Sequence, residues 1–150
     1  MKTLTNDCHF ITLQSLAHST IKLDEDAYTN QANKENNDRV MELLKNVKVR
    51  DEVLYFFVDA DDEVQNHLFQ YFSYMSGCYF KPEAAMPASL AGIMAYVLGY
   101  PTMTNFFLAI SLGHDAEYSL TILFDRIVQA NVDAESVKAL IRLAHATEED

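Results

Sequence analysis

The stretch that decides the fold is SLAGIMAYVLGYPTMTNFFLAISLGHDAEYSL, Ser89–Leu120, which has no Lys, Arg, Asp or Glu before Asp115. An uncharged run of this length could cross a bilayer. However, Gly99-Tyr100-Pro101 interrupts it in the middle, and no cluster of Lys or Arg flanks either end. Each half has about a dozen residues, which is too few to span a membrane. The stretch therefore predicts two core helices joined by a tight turn.

Proline and glycine mark the ends of these two helices. Pro87 and Pro101 suit the first turns of the two helices, because proline lacks the N–H that is unpaired there anyway. Gly99 and Gly113 suit their C-terminal ends, where a left-handed residue often closes a helix. A helix hairpin that is buried on most sides is expected to be uncharged all round.

The rest of the chain shows helical patterns of the more usual amphipathic kind. Only four Gly and three Pro in 150 residues favour long helices over a sandwich or barrel. The predicted starts of the other helices are Asp38, Val49 (unless this segment continues the previous helix), Asp61 or Asp62, Asp115 and Asp133. In the last of these, Val137, Leu140, Ile141 and Ala144 follow the spacing of one buried face.

These patterns predict an all-α fold. We expect a single compact domain of about seven helices packed as helical hairpins, with the first 30 or so residues readable as a strand pair or a short helix. The predicted organisation is an N-terminal segment with a polar linker over residues 1–37, a helical domain over 38–146, and an acidic tail over 147–150. The linker is the Asn-rich stretch QANKENN, Gln31–Asn37.

The negative charge of the chain is concentrated in its last two-thirds. Residues 1–50 hold seven basic and seven acidic residues, whereas residues 51–150 hold four and fifteen, so 4 − 15 = −11 accounts for the whole net charge. Such a surface repels nucleic acid and anionic lipid and attracts basic protein surfaces. We therefore expect a protein partner with a basic surface and no direct contact with nucleic acid or membrane. The alternative is that the charge serves solubility alone.

The sequence contains no catalytic or metal-binding motif. A calcium loop starting at Asp59 would need Gly and Glu where the chain has Val64 and Gln70. Glu63 and His67 have a spacing that can hold a metal on a helix, but such a site needs further ligands. No G-x-S-x-G elbow and no glycine-rich phosphate loop is present. We expect no enzyme activity, no cofactor and no metal.

Acidic and aromatic residues are the candidates for partner binding. The segment from Tyr55 to Phe80 holds nine aromatic residues, most of which must lie in the core, although some Tyr side chains should reach the surface. Surface Tyr beside a groove is a common binding anchor. The predicted partner-binding residues are Asp59, Asp61, Asp62, Glu63, Tyr71 and Tyr74. A homodimer through the Tyr and Phe surface is also compatible with the sequence.

The two cysteines and the N-terminus bear on location. Cys8 and Cys78 have no spacing motif, and reduced thiols in a cytoplasmic protein are the simplest interpretation, with a Cys8–Cys78 bridge as the alternative. The N-terminal residues have no clean apolar run followed by a cleavage site, so they do not predict a signal peptide.

Three motifs along the chain resemble one protein family. The chain has an Arg-Asp pair near a helix start, Arg50-Asp51, a Leu- and Ala-rich helix ending at Gly99, and a Tyr-Ser-Leu segment that begins at Tyr118. In this order they resemble the C-terminal region of domain-of-unknown-function family 4192, over about residues 38–130. The resemblance implies a fold region and no activity. Tyr100-Pro101 stands where that pattern would have a small polar turn.

An enzyme with a dispersed site is the least favoured hypothesis, and the sequence favours two other functions. One is a non-catalytic helical protein–protein interaction module that is acidic and soluble. The other is an acidic mimic of nucleic acid, of the anti-restriction or anti-CRISPR type found in phages and mobile elements, which would inhibit a nucleic-acid-binding protein. A mimic binds through charge, so salt should weaken its binding steeply, whereas binding in an apolar groove should depend little on salt.

Overall fold

The fold is all-α, as the sequence predicts. The computed structural model describes residues 31–80 and 82–148, which form seven helices and no strand. The helices are α1 Gln31–Leu44, α2 Val47–Asp59, α3 Asp62–Ser76, α4 Ala85–Leu98, α5 Pro101–His114, α6 Ser119–Gln129 and α7 Ala134–Glu148. The prediction for the first 30 residues lies outside the described residues. No helix in this part of the chain is long and apolar enough to span a membrane.

Helix α4 is the centre of the fold. Twelve of its fourteen residues are buried, because α3, α5, α6 and α7 all pack against it. This environment explains why α4 is free of charge on every side. The α4–α5 hairpin forms as predicted, with Gly99 at a left-handed φ of 85° and Pro101 as the first residue of α5. At Gly92 an added Cβ would lie 3.0 Å from Leu108 Cδ2, so glycine allows the two helices to approach closely.

The prediction of a polar linker over Gln31–Asn37 is wrong, because these residues form the first two turns of α1. The stretch contains neither Gly nor Pro, and its Gln, Ala, Lys and Glu residues are good helix formers. Hydrogen bonds also hold this helix to α3 and the segment after it: the Tyr71 hydroxyl donates to Asn37 Oδ1 at 3.0 Å and the Tyr79 hydroxyl to Asp38 Oδ1 at 2.7 Å. Helix α2 starts anew at Val47 and does not continue α1.

The segment between α5 and α6 differs from its prediction in two details. Gly113 does not end α5, which continues to His114 and closes where the Asp115 N–H bonds the Ser111 carbonyl at 2.9 Å. Asp115 does not cap α6, because its carboxylate accepts from the Glu117 N–H at 3.0 Å and forms a local turn. Helix α6 therefore begins only at Ser119. The predicted caps Asp61 and Asp133 are confirmed: their carboxylates accept from Val64 and Ser136 N–H groups.

Candidate binding groove

Two apolar stripes face each other between α6 and α7. Both helices pack on α4 but make few contacts with each other, so a gap remains between them. Each wall repeats the i, i+3, i+4, i+7 spacing of an amphipathic helix. The walls are Leu120, Leu123, Phe124 and Ile127 of α6, and Val137, Leu140, Ile141 and Ala144 of α7. We call this gap the α6–α7 groove.

The α6–α7 groove is open to solvent. Its free volume is about 220 Å³, and Leu54 of α2 and Ile93 of α4 contribute to its lining. The Leu123 side chain is 57% exposed and that of Leu140 is 48% exposed. Leu140 belongs to the stripe that the spacing predicts as buried, but within that stripe only Val137 is fully buried, and Ile141 is partly buried against the core. Leu140 and Ala144 are exposed in a gap that the described residues do not fill.

Three polar side chains also line the α6–α7 groove: Arg50, Asp51 and His145. The Arg50 Nε and Nη2 atoms donate to Asp51 Oδ1 at 3.1 and 2.9 Å, and Nη1 donates to the Tyr118 hydroxyl at 3.1 Å. The guanidinium also lies 5.8 Å from the Tyr118 ring centroid, within reach of a cation–π contact. This cluster joins the start of α2 to the residue that precedes α6.

The Arg50 side chain is mostly buried but stays charged. Burial lowers the pKa of Arg50, but the hydrogen bond with Tyr118 and the interactions with Asp51 outweigh burial and hold the pKa above its ordinary value. An unpaired buried charge would cost several kcal/mol. Movements that separate the guanidinium from Asp51 and Tyr118 are therefore unfavourable. The cluster therefore fixes the position of α6 relative to α2.

Helix α7 is held against α2 by a second set of contacts. The His145 ring stacks on the Tyr55 ring with centroids 3.6 Å apart, and His145 Nε2 lies 2.7 Å from a Glu52 carboxylate oxygen. Further along, Arg142 pairs with Asp59 at 3.1 Å. These contacts place α7 over α2, and they orient its apolar stripe toward α6.

The predicted acidic partner-binding residues lie around the α2–α3 turn, away from the α6–α7 groove lining. Asp59 is engaged by Arg142, and Asp61 caps α3 by accepting from the Val64 N–H at 2.9 Å. Asp62 and Glu63 are exposed in the first turn of α3, where their charge suits the positive end of the helix dipole. Two of the four carboxylates therefore have a structural use.

Tyr71 is a predicted partner-binding residue, but it does not lie at the surface. Its side chain is only 1% exposed and packs in the core, with an edge-on contact to Phe72 at 5.2 Å between ring centroids. Tyr71 is one of the buried residues of α3, and its hydroxyl donates to Asn37 Oδ1 of α1. Tyr74 is partly buried and packs against the core. Neither tyrosine lines the α6–α7 groove.

Within residues 31–80 and 82–148, no group of three His, Cys, Asp or Glu side chains is close enough to hold a metal ion. His67 and Glu63, the pair with metal-binding spacing, belong to no such group there.

The comparison with protein families identifies the chain. The family model described as a domain of unknown function, DUF4192, matches residues 13–135. The chain belongs to this family. The match begins well before residue 38 and so extends beyond the C-terminal region that the motifs indicate. No curated protein and no solved structure matches the chain.

The extent of the DUF4192 match divides the α6–α7 groove. The match covers all of α6 and the Arg50–Tyr118 cluster, but it ends within the first turn of α7. The α6 wall of the groove is thus part of the DUF4192 region, and all four residues of the α7 wall lie beyond it. Sequence reasoning selected none of the wall residues as a site. The sequence signal that could have indicated these residues is the apolar stripe of α7. Its residues are more apolar than is usual for residues as exposed as these.

Proposed function

We propose that this DUF4192 chain is a non-catalytic interaction module that binds an amphipathic helix of another protein in the α6–α7 groove. One observation carries the proposal: the apolar stripes of two neighbouring helices face the same gap, and Leu123 and Leu140 remain about half exposed in it. Exposed apolar surface that is contiguous and concave is typical of sites that bind other molecules.

The shape of the groove favours a helix as the bound element. Helix α6 has 11 residues and is about 16 Å long, so the gap beside it can accept about three turns of a partner helix. A partner with apolar residues at i, i+3 or i+4, and i+7 would present its own stripe to both walls. This is the helix-in-groove mode of recognition.

Charge favours a partner with basic residues on the remaining faces of its helix. The chain carries a net charge of −11, which attracts basic segments over distances of about 10 Å at moderate salt. In the groove itself the Arg50 charge is offset by Asp51, so it does not oppose a basic partner. We place this binding in the reducing cytoplasm, where the exposed Cys78 would stay a thiol.

The experiment selects binders from a displayed library of helical peptides with randomised apolar and charged positions. We expect the selected peptides to share apolar residues at helical spacing and to carry Lys or Arg elsewhere. The double substitution Leu123→Gln and Leu140→Gln should weaken binding of those peptides by about tenfold or more, because two apolar anchors of the interface are lost. Gln adds no charge, so the comparison isolates the apolar contact.

Val47→Gln is the matched control. Val47 is 55% exposed, close to the 57% of Leu123, but it begins α2 and does not line the groove. Peptide affinity should be unchanged in this variant. Peptides that bind all variants equally well, or a library that yields no binder, would contradict the proposal.

The second candidate function is the acidic mimic, and the exposed carboxylates of Asp62 and Glu63 favour it. They would act together with the −11 net charge rather than with the apolar groove. The two functions differ in their response to salt. Binding through charge should weaken by orders of magnitude between low and high ionic strength, whereas groove binding should change only a few-fold.

A further inference from the structure

A second apolar surface lies on the outer face of α5. Apart from its contacts with α4, α5 packs only lightly on its neighbours, so one side of the helix faces solvent. Phe106 is 58% exposed and Met103 is 48% exposed on this side. Thr102, Ala109 and Gly113 lie on the same helical face, and all three are exposed. We call this the α5 face.

The α5 face carries no formal charge, although the chain as a whole is strongly acidic. Residues 84–113 contain no Lys, Arg, Asp or Glu. A solvent-facing helix normally places charged residues on its outer side. Helix α5 departs from this rule along its full length.

We propose that two copies of the chain pair through the α5 face, with the two α5 helices antiparallel across a twofold axis. This pairing is separate from the α6–α7 groove and does not depend on the function proposed for it. Two copies that each carry −11 repel one another over most of their surfaces. A face without charge is the surface through which this repulsion is weakest.

The distribution of side-chain size along α5 is self-complementary. The bulky exposed residues, Met103 and Phe106, lie in the N-terminal half, and the small ones, Ala109 and Gly113, lie in the C-terminal half. A Cβ built on Gly113 meets nothing within 4 Å, so the space above it is open. In an antiparallel pair the bulky half of each helix lies opposite the small half of the other. A twofold interface requires this kind of match, because the same patch serves both partners.

The antiparallel arrangement also suits the electrostatics of the helix ends. It places the N-terminal end of each α5, which bears partial positive charge, beside the C-terminal end of its partner. Asp115 follows that C-terminal end, so its carboxylate would lie near the partner's helix N-terminus. The charge of Asp115 is thus placed where it is favourable.

The size of the α5 face predicts a weak dimer. Helix α5 has 14 residues and is about 21 Å long. One face of such a helix buries less than the roughly 800 Å² per partner of a standard stable interface. We expect a dissociation constant of about 10 µM to 1 mM, so the dimer should form only at high protein concentration.

Sedimentation equilibrium on the full chain tests this proposal. The mass should rise from that of a monomer toward that of a dimer as the concentration approaches about 1 mM, and higher salt should raise the dimer fraction by screening the repulsion. Phe106→Lys should weaken dimerisation by at least about tenfold, because it places a charge at the centre of the interface. Its circular dichroism should match that of the unchanged protein, since Phe106 is mostly exposed.

Leu123→Lys is the matched control, because Leu123 is 57% exposed and Phe106 58%, on different helices. It introduces the same charge and should leave dimerisation unchanged. A protein that stays monomeric at every concentration would overturn the proposal, as would a Phe106→Lys variant that dimerises normally. Loss of dimerisation in Leu123→Lys would assign the contact to the α6–α7 groove and would overturn it too.

Discussion

The Arg50 guanidinium donates a hydrogen bond to the Tyr118 hydroxyl across 3.1 Å, although the two residues are 68 positions apart in the sequence. Both residues belong to motifs through which the sequence resembles its family. The structure shows why they occur together: one lies in the first turn of α2, the other precedes α6, and their contact positions the α6 wall of the groove.

Tyr118→Phe should lower the free energy of unfolding by about 1 to 2 kcal/mol, because it leaves a mostly buried guanidinium N–H without its acceptor. Tyr100→Phe is the control, since its hydroxyl is 3.4 Å from Asn66 Oδ1 in an exposed contact. It should change stability by less than about 0.5 kcal/mol. Urea denaturation of both variants measures this. Equal losses in the two would contradict the assigned role of the Arg50–Tyr118 contact.

Alanine at two glycines should change stability in opposite directions. Gly99 has a φ of 85°, where a Cβ is strained, so Gly99→Ala should cost about 1 to 2 kcal/mol. Gly113 lies within α5 with open space around it, so Gly113→Ala should stabilise by about 0.5 to 1 kcal/mol. Thermal unfolding at low protein concentration, where the chain is monomeric, reports both. A destabilising Gly113→Ala would show that α5 ends before this residue.

The double substitution Asp61→Asn and Asp62→Asn distinguishes the effect of negative charge on binding from the role of Asp61 as a helix cap. Asn can accept the Val64 N–H that Asp61 accepts, so the cap of α3 should persist while two negative charges are removed. Binding of a groove peptide should then change by less than about threefold, because only long-range attraction is reduced. Isothermal titration calorimetry measures the affinity. A loss of a hundredfold or more would favour the acidic mimic instead.

The cap of α7 should make stability depend on pH in the acid range. Hydrogen bonds from the Ser136 side chain and backbone N–H lower the pKa of Asp133 below its ordinary value. A lowered pKa stabilises the folded state above the ordinary Asp pKa of about 3.9, and this contribution is lost as pH falls through the lower folded value.

Comparing the chain with Asp133→Asn isolates this contribution. Asn also caps a helix but does not titrate. The stability difference between the two proteins should therefore be constant above about pH 5 and should shrink as the pH falls toward about 2. Thermal unfolding across this range is the measurement. A difference that does not change with pH would mean that the Asp133 carboxylate is not coupled to the cap.

Much of this fold could be predicted from the sequence, because the residues that mark helix ends and the distribution of charge agree with the helices and the burial seen in the structure. Pro101 and Gly99 mark the α4–α5 turn, and the absence of charge around α4 indicates burial on all sides. The α7 stripe shows the limit of such reasoning. Its spacing tells which face of the helix is apolar, but not whether that face meets the core or an open groove, because the covering element lies elsewhere in the chain. The contact of Arg50 with Tyr118 depends on helix packing that periodicity does not encode.

The most direct test of the central claim is an NMR titration of the methyl-labelled chain with one peptide selected from the helical library. We expect the methyl signals of Leu123, Leu140 and Ile141 to shift together on binding, while those of Val47 stay in place. Shifts confined to residues around the α2–α3 turn, or shifts that vanish at high salt, would show that the α6–α7 groove is not the binding surface.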